Sequence, residues 1–292
     1  MCPAVGELPL AVGPIYYEWP GGRPPRPRFG VTIRPLLAPI ARWGWRATLR
    51  RAALVLGSTP QHASKLRSEL SCNGRLSQTV SDIPVIVAPP AGLVKKSDAV
   101  SRVPGVGALR LALVAGLHDN KRVLVVCEAI EMLRRNGHDV QLTVCGDGPL
   151  RKDIEMVADA GGWRGALHLR GNIPNTEVYG VLANSHLLIS AAIGEPYGRN
   201  IVESMSVGTP VIAHRSGGPA EIIAHDVNGW LVEQSSPEVF ATAVLQVSEA
   251  ARWERLSRAA LVTTLQWRPE VVGQKLERLF TETIAKRRVA GA

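Results

Sequence analysis

A Rossmann-like α/β fold built on a parallel sheet is what the sequence predicts, and two observations predict it. From about residue 107 onward, apolar strand-like runs alternate with amphipathic stretches, a new strand coming roughly every 20 to 30 residues, as strand–helix–strand crossovers require. Glycines then recur where those strands end, at Gly146, Gly171, Gly194 and Gly217, the edge at which such sheets hold their ligands. No period of self-similarity runs through the chain, so the pattern reads as a wound domain and not a repeat array.

In chain order, residues 1 to about 100 are rich in Pro and Arg and give few periodic elements. A helix is expected through IARWGWRATLRRAA, then the apolar run ALVLGS, a second helix near QHASKLRSEL and a short buried strand at PVIVAPP. GVGALR follows as an interdomain linker, because its glycines precede a strand, where a dinucleotide fingerprint would follow one. The regular part begins with strand LRLALVAGL and helix KRVLVVCEAIEMLRRNG, then VQLTVCG with PLRKDIEMVADAG and ALHLRG with NTEVYGVLANS. HLLISAA with GRNIVESMSVG, PVIAHR with GPAEIIAHD, and a last strand WLVE complete it. The helices carry one apolar face each.

The 292 residues, 46% of them hydrophobic, can bury the cores of two domains. No apolar run reaches the roughly 18 residues of a membrane span, and the first twenty residues lack the basic start and cleavage site of a signal peptide. The default location is therefore the cytoplasm. Cys2, Cys72, Cys127 and Cys145 show no metal-ligand spacing, and Cys127 and Cys145 sit in apolar segments as small core residues. The net charge of +9 is uneven: eight arginines and no acid lie between Arg23 and Arg51. Phe29, Trp43 and Trp45 are the only aromatics there, and no nucleic-acid module surrounds them. An anionic membrane surface, met peripherally, is thus preferred over nucleic acid as a partner; a solvated basic face that aids solubility stands beside it with equal weight.

CGDGPLR lies between a strand and a helix but lacks the third glycine and the ribose acid about 20 residues on, which argues against nicotinamide chemistry. The segment GEPYGRNIVESMSVGTP is more informative. A helix beginning near Gly198 presents its amino end to the ligand edge, where an anion such as a diphosphate can rest on the N–H groups of Arg199 and Asn200. Glu203, one and a half turns in, can accept from sugar hydroxyls beside that phosphate, and Glu195, on the loop before, from a second set. One acid for each sugar of a nucleotide-sugar explains the spacing. Ordinary surface acids near a helix start explain it too.

With its surroundings, GEPYGRNIVESMSVGTPVIAHRSGGPAEII and the later DVNGWLVE, this segment resembles the donor-binding half of the retaining GT-B glycosyltransferases of family four. The shared series is an acid, seven residues, an acid, a small-residue turn, a strand ending in paired glycines, and a further Glu. The resemblance spans about Leu109 to Glu233 and implies a GT-B-like fold: a complete donor domain at 107–270, a partial acceptor-side domain and linker at 1–106, and a closing helix at 271–292 returning to the first domain. It assigns the nucleotide ribose to Glu203, the hydroxyls of the transferred sugar to Glu195, and the diphosphate to the amides of Gly198, Arg199 and Asn200. Lys121 matches the family lysine that neutralises the diphosphate, and Gly171 to Pro174 the loop that meets the base, chiefly at Ile173. Leu117, directly after Gly116, stands where the family usually has Arg; Arg122 and His118 are the residues near enough in sequence to replace it.

The resemblance implies transfer of a sugar from a nucleotide-diphosphate sugar to a lipid-linked or polysaccharide acceptor with retention, and no metal or other cofactor. No counterpart of the family's opening strands, Gly-rich loop and acceptor-side histidine precedes residue 107. A second reading therefore makes the chain a nucleotide-sugar-binding remnant that needs a partner chain or self-association. A nucleotide-sugar epimerase, which needs no acceptor, is a more distant third. His168, His186, His214 and His225 are read as surface or strand-end residues.

Overall fold

The computed structural model describes residues 103–105 and 107–290, with short pieces before them at 11–12, 54–57, 63–64, 66–68, 71 and 79–82. The arginine stripe, the helix expected over IARWGWRATLRRAA and the strand expected over PVIVAPP lie outside the described residues. The chain divides into two compact units, one made of Met1–Ile86 with Pro269–Ala292, the other of Val87–Arg268.

In the first unit, strands β1 (Ala11–Val12), β2 (Leu54–Gly57) and β3 (Thr79–Asp82) form a parallel sheet in that order. Leu54, Val55 and Leu56 of β2 are buried, as the apolar run ALVLGS requires. Strand β3 is polar apart from the buried Val80, so its pairing with β2 could not be read from hydrophobicity.

The second unit carries six parallel strands: β4 (Leu109–Val114), β5 (Val140–Cys145), β6 (Leu167–Gly171), β7 (Leu187–Ser190), β8 (Val211–His214) and β9 (Trp230–Val232). They lie in the order β6-β5-β4-β7-β8-β9. The intervening helices are α1 (Val123–Arg135), α2 (Arg151–Ala160), α3 (Asn175–Ala183), α4 (Arg199–Ser206) and α5 (Gly217–Ile222), followed by α6 (Pro237–Val247) and α7 (Ala250–Thr264). Helix α8 (Pro269–Ala290) belongs to the first unit. Among the described residues no helix is long and apolar enough to cross a membrane.

Successive side chains of β4 enter opposite layers, as the two-residue period of a strand dictates. Leu111 and Leu113 join Val126 and Ile130 of α1, Phe240 and Val244 of α6 and Trp253 of α7. Ala112 joins Leu182 of α3, Ile201 and Met205 of α4 and Ala260 of α7. Cys127 and Cys145 are core residues; burial pushes the Cys127 thiol up to about 12 and the Cys145 thiol up to about 11. Two of the sequence histidines hold structure: His186 Nδ1 accepts the Arg110 N–H at 2.9 Å, and its carbonyl accepts Trp253 Nε1–H at 2.7 Å. His225 Nδ1 accepts the Leu231 N–H at 3.1 Å.

The strand order reverses between β4 and β7. The connections leaving these two strands run in opposite directions along the sheet, so a crevice opens beyond their carboxyl ends.

Candidate donor-binding cleft

That crevice is a cavity of about 400 Å³. Its walls include Val114 to Gly116 after β4, Lys121 before α1, Ser190 to Ala192 and Glu195 after β7, and Arg199, Asn200 and Glu203 on α4. The topology thus brings both acids, the lysine and the amino end of α4 into one site from two separate connections, β4–α1 and β7–α4.

The loop after β7 is shaped by Glu195. Its Oε1 accepts the N–H of Gly198 at 3.1 Å and of Tyr197 at 3.5 Å, and its Oε2 accepts Lys121 Nζ at 2.5 Å. Gly198, in the left-handed region at φ 86°, then turns the chain into α4. Asn200 fixes this helix end to the other side of the switch point: its Nδ2 donates to the Val114 carbonyl at 2.9 Å, while its Oδ1 accepts the Ile201 N–H. The N–H groups of Arg199 and Asn200, first-turn donors with no helical carbonyl to bond, face the same end.

Glu203 is only 4% exposed. Burial raises its carboxyl above the usual glutamate value, and hydrogen bonds from Arg199 and Asn175 pull it back in part. Arg199 Nε lies 2.7 Å from Glu203 Oε1 across one helical turn. The cleft therefore holds two carboxylates and two cations in two pairs. Its polar atoms can take an anion at the end of α4 and hydroxyls at either acid.

Arg122, weighed as a second cation, is drawn off by another loop. Its backbone is left-handed at φ 53° and its guanidinium donates to the Ser235 carbonyl at 3.1 Å. His118 stays beside the cleft, its ring 3.1 Å from where a Cβ on Gly116 would stand; Leu117 is fully buried. Gly171 and Ile173 do not line the cavity. Gly171 accepts the Gly146 N–H at 2.7 Å, and Ile173 packs against the second core layer.

Asn175 was not singled out from the sequence, yet it lines the cavity and bonds Glu203. The available signal was its place, a polar residue directly after the GNIP turn at the ligand edge of β6. The glycines of CGDG have a steric reason instead of a phosphate role. A Cβ on Gly146 would stand 1.9 Å from the Ala115 carbonyl oxygen, and one on Gly148 2.5 Å from that of Leu117, so this loop lies directly against the wall of the cleft.

The paired glycines that open α5 support the Glu195 loop. Gly218 N–H donates to the Glu195 carbonyl at 2.9 Å, and a Cβ on Gly218 would meet the Tyr197 carbonyl oxygen at 2.1 Å. Backbone cannot swing aside as a side chain can. Gly218→Ala is therefore expected to cost about 1–3 kcal/mol in urea unfolding. Gly165→Ala, where nothing lies within 4 Å, should change little; equal midpoints for the two variants would refute the close-packing role.

Comparison with known proteins agrees with this architecture. Over 220 residues the chain is 28% identical to the 2-deoxystreptamine glucosyltransferase of Streptomyces kanamyceticus, covering 75% of this chain and 53% of that protein. It is 29% identical over 147 residues to the amylovoran biosynthesis glycosyltransferase AmsK of Erwinia amylovora, covering 48% of this chain and 36% of that one. The chain thus spans about half or less of the length of these two relatives. The crystal structure of HepE from Anabaena in complex with UDP and glucose superposes with a TM-score of 0.65 at 18% identity, over 82% of this chain and 66% of that one. The family described as glycosyl transferases group 1 matches residues 106–260, more than half of the sequence. With its parallel-sheet α/β architecture and GT-B structural neighbours, this chain belongs to the glycosyl transferases group 1 family.

Proposed function

We propose that the chain transfers a sugar from a nucleotide-diphosphate sugar to an acceptor hydroxyl with retention of anomeric configuration. The observation that carries this reading is the convergence of Glu195, Glu203, Lys121 and the amino end of α4 on one cleft at the switch point. In this reading Glu203 accepts from the ribose, Glu195 from the transferred sugar, and the loop Gly171 to Pro174, outside the cavity wall, meets the base. The diphosphate rests between Lys121 and the first-turn N–H groups of α4.

The bond from the anomeric carbon to the phosphate oxygen breaks as the acceptor oxygen attacks from the same face. The acceptor proton passes to the leaving phosphate oxygen. Charge growing on the diphosphate is met by the Lys121 ammonium and the helix N–H groups, which are fixed before the reaction begins. The anomeric carbon becomes oxocarbenium-like, and no side chain is required as a covalent nucleophile.

HepE's complex with UDP supports uridine as the base, and AmsK's name, for amylovoran biosynthesis, supports a role in building a larger product. The glucosyltransferase named for 2-deoxystreptamine favours a second acceptor class, a small aminocyclitol. A lipid-linked acceptor and contact with an anionic membrane through the Arg23–Arg51 stripe rest on the sequence alone. So does the need for a partner chain or self-association.

The test is a thermal-shift screen of this chain with nucleoside diphosphates and their sugars. A ligand at about a hundred times its dissociation constant should add roughly 2.7 kcal/mol of stability, with UDP and its sugars the expected hits. No shift with any nucleotide would overturn the proposal.

A further inference from the structure

Two of the donors assigned to the diphosphate are already engaged by a carboxylate. Lys121 Nζ and the Gly198 N–H both bond Glu195, through its two separate oxygens. The arrangement copies what a phosphate would make there: one ammonium, one N–H at the start of a helix, and a delocalised anion bridging them. Glu195 and Lys121 are partly shielded, with 15% and 26% of their side chains exposed. A second anion cannot join this carboxylate at the same donors without like-charge repulsion in a poorly solvated place.

We infer that Glu195 competes with the diphosphate for Lys121 and the Gly198 N–H, so that donor binding exchanges one anion for another and the transferred sugar decides the balance. The inference rests on the proposed function and deepens it. Once displaced, the carboxylate loses a charge-assisted partner and needs another. A nucleotide-sugar supplies one through the sugar hydroxyls. A nucleoside diphosphate without the sugar supplies none, and Glu195 then returns to Lys121. Glu195 thereby discriminates in favour of the donor and against the product left after transfer, which it helps to expel. The loop has the means to hold a displaced carboxylate's backbone in place: the Glu195 carbonyl is tied to the Gly218 N–H, and the Ser216 hydroxyl accepts the Gly194 N–H at 3.2 Å. The exchange therefore needs only the Glu195 side chain to turn.

The experiment is isothermal titration of the full chain and its variants with three probes: inorganic pyrophosphate, UDP and uridine. Glu195→Gln keeps the shape of the side chain and an oxygen for Gly198 but removes the competing charge. It is expected to bind pyrophosphate and UDP on the order of ten-fold tighter than the parent, and uridine equally. In the Lys121→Gln background the same change should give no gain, because the contested cation is gone. Should Glu195→Gln fail to fold, Glu195→Asp, one methylene shorter, should show the same gain in smaller measure. Equal or weaker pyrophosphate binding by Glu195→Gln overturns the exchange, and the functional reading survives if UDP still binds and Glu203→Gln still weakens it. Loss of UDP binding in the parent and every variant overturns that reading, and the exchange with it.

Discussion

Lys121→Ala is expected to lower turnover of the nucleotide-sugar by a factor on the order of 10²–10³, while donor affinity falls much less. The asymmetry follows from where the charge develops. In the bound donor the diphosphate is already anionic, and Lys121 exchanges a carboxylate partner at 2.5 Å for a phosphate one, so its net contribution to binding is small. In the transition state the leaving group gains further charge, and a fixed ammonium that needs no reorganisation then stabilises it strongly. Removing one such preorganised donor typically costs 10²–10³ in kcat. Arg122 cannot take over, because its guanidinium is bonded to Ser235 on another loop. Steady-state kinetics that separate kcat from KM check the prediction. Equal losses in kcat and in donor affinity would show that Lys121 binds the ground state only, and the charge-development argument would fall.

The same residue shows how far a sequence can carry this kind of reading. Lys121 was placed by its match to the family lysine, in the loop after the strand LRLALVAGL, and the strands and helices around it by their differing periodicities. All six strands from Leu109 to Val232 were legible because each is a short, mainly apolar run between amphipathic helices, even β6, where only Leu167 is buried. Strand β3 was not, because only Val80 of its four residues is apolar. The acids, the lysine and the helix end were legible as a set through their order along the chain. Their partners were not. The pairing of Lys121 with Glu195 joins residues 74 apart, and nothing in the local pattern of either loop specifies it. Asn175 escaped for a similar reason, since its contact with Glu203 depends on α3 lying beside α4. Gly171 and Ile173, assigned by resemblance alone, lie outside the cavity wall, where Asn175 of the same loop stands in it.

Glu203→Gln should weaken binding of UDP by about 10- to 100-fold and, at neutral pH, make the protein more stable. The affinity loss follows from removing a buried charged acceptor facing vicinal hydroxyls, a loss of about 1.5–3 kcal/mol. The gain in stability follows from burial. Folding takes this carboxylate from water into a position only 4% exposed, and desolvation outweighs the help of Arg199 and Asn175, so its pKa rises above 4.5. A carboxyl whose pKa is raised by folding favours the folded state when protonated. That contribution is complete below pH 4.5 and is lost as pH rises through the raised value. Above that window the charged Glu203 opposes folding, whereas a glutamine of the same shape does not. The variant's advantage in thermal melts should therefore be present at pH 7 and should shrink toward zero as the pH falls below 4.5. A melting temperature at pH 7 that is unchanged or lower in the variant, or UDP affinity equal to the parent's, would show that Glu203 is an ordinary structural acid. The opposed signs of the two effects are what separate a binding role from a packing one: a residue kept for stability would lose stability on replacement, whereas one kept for a ligand is held in the core against the preference of the fold.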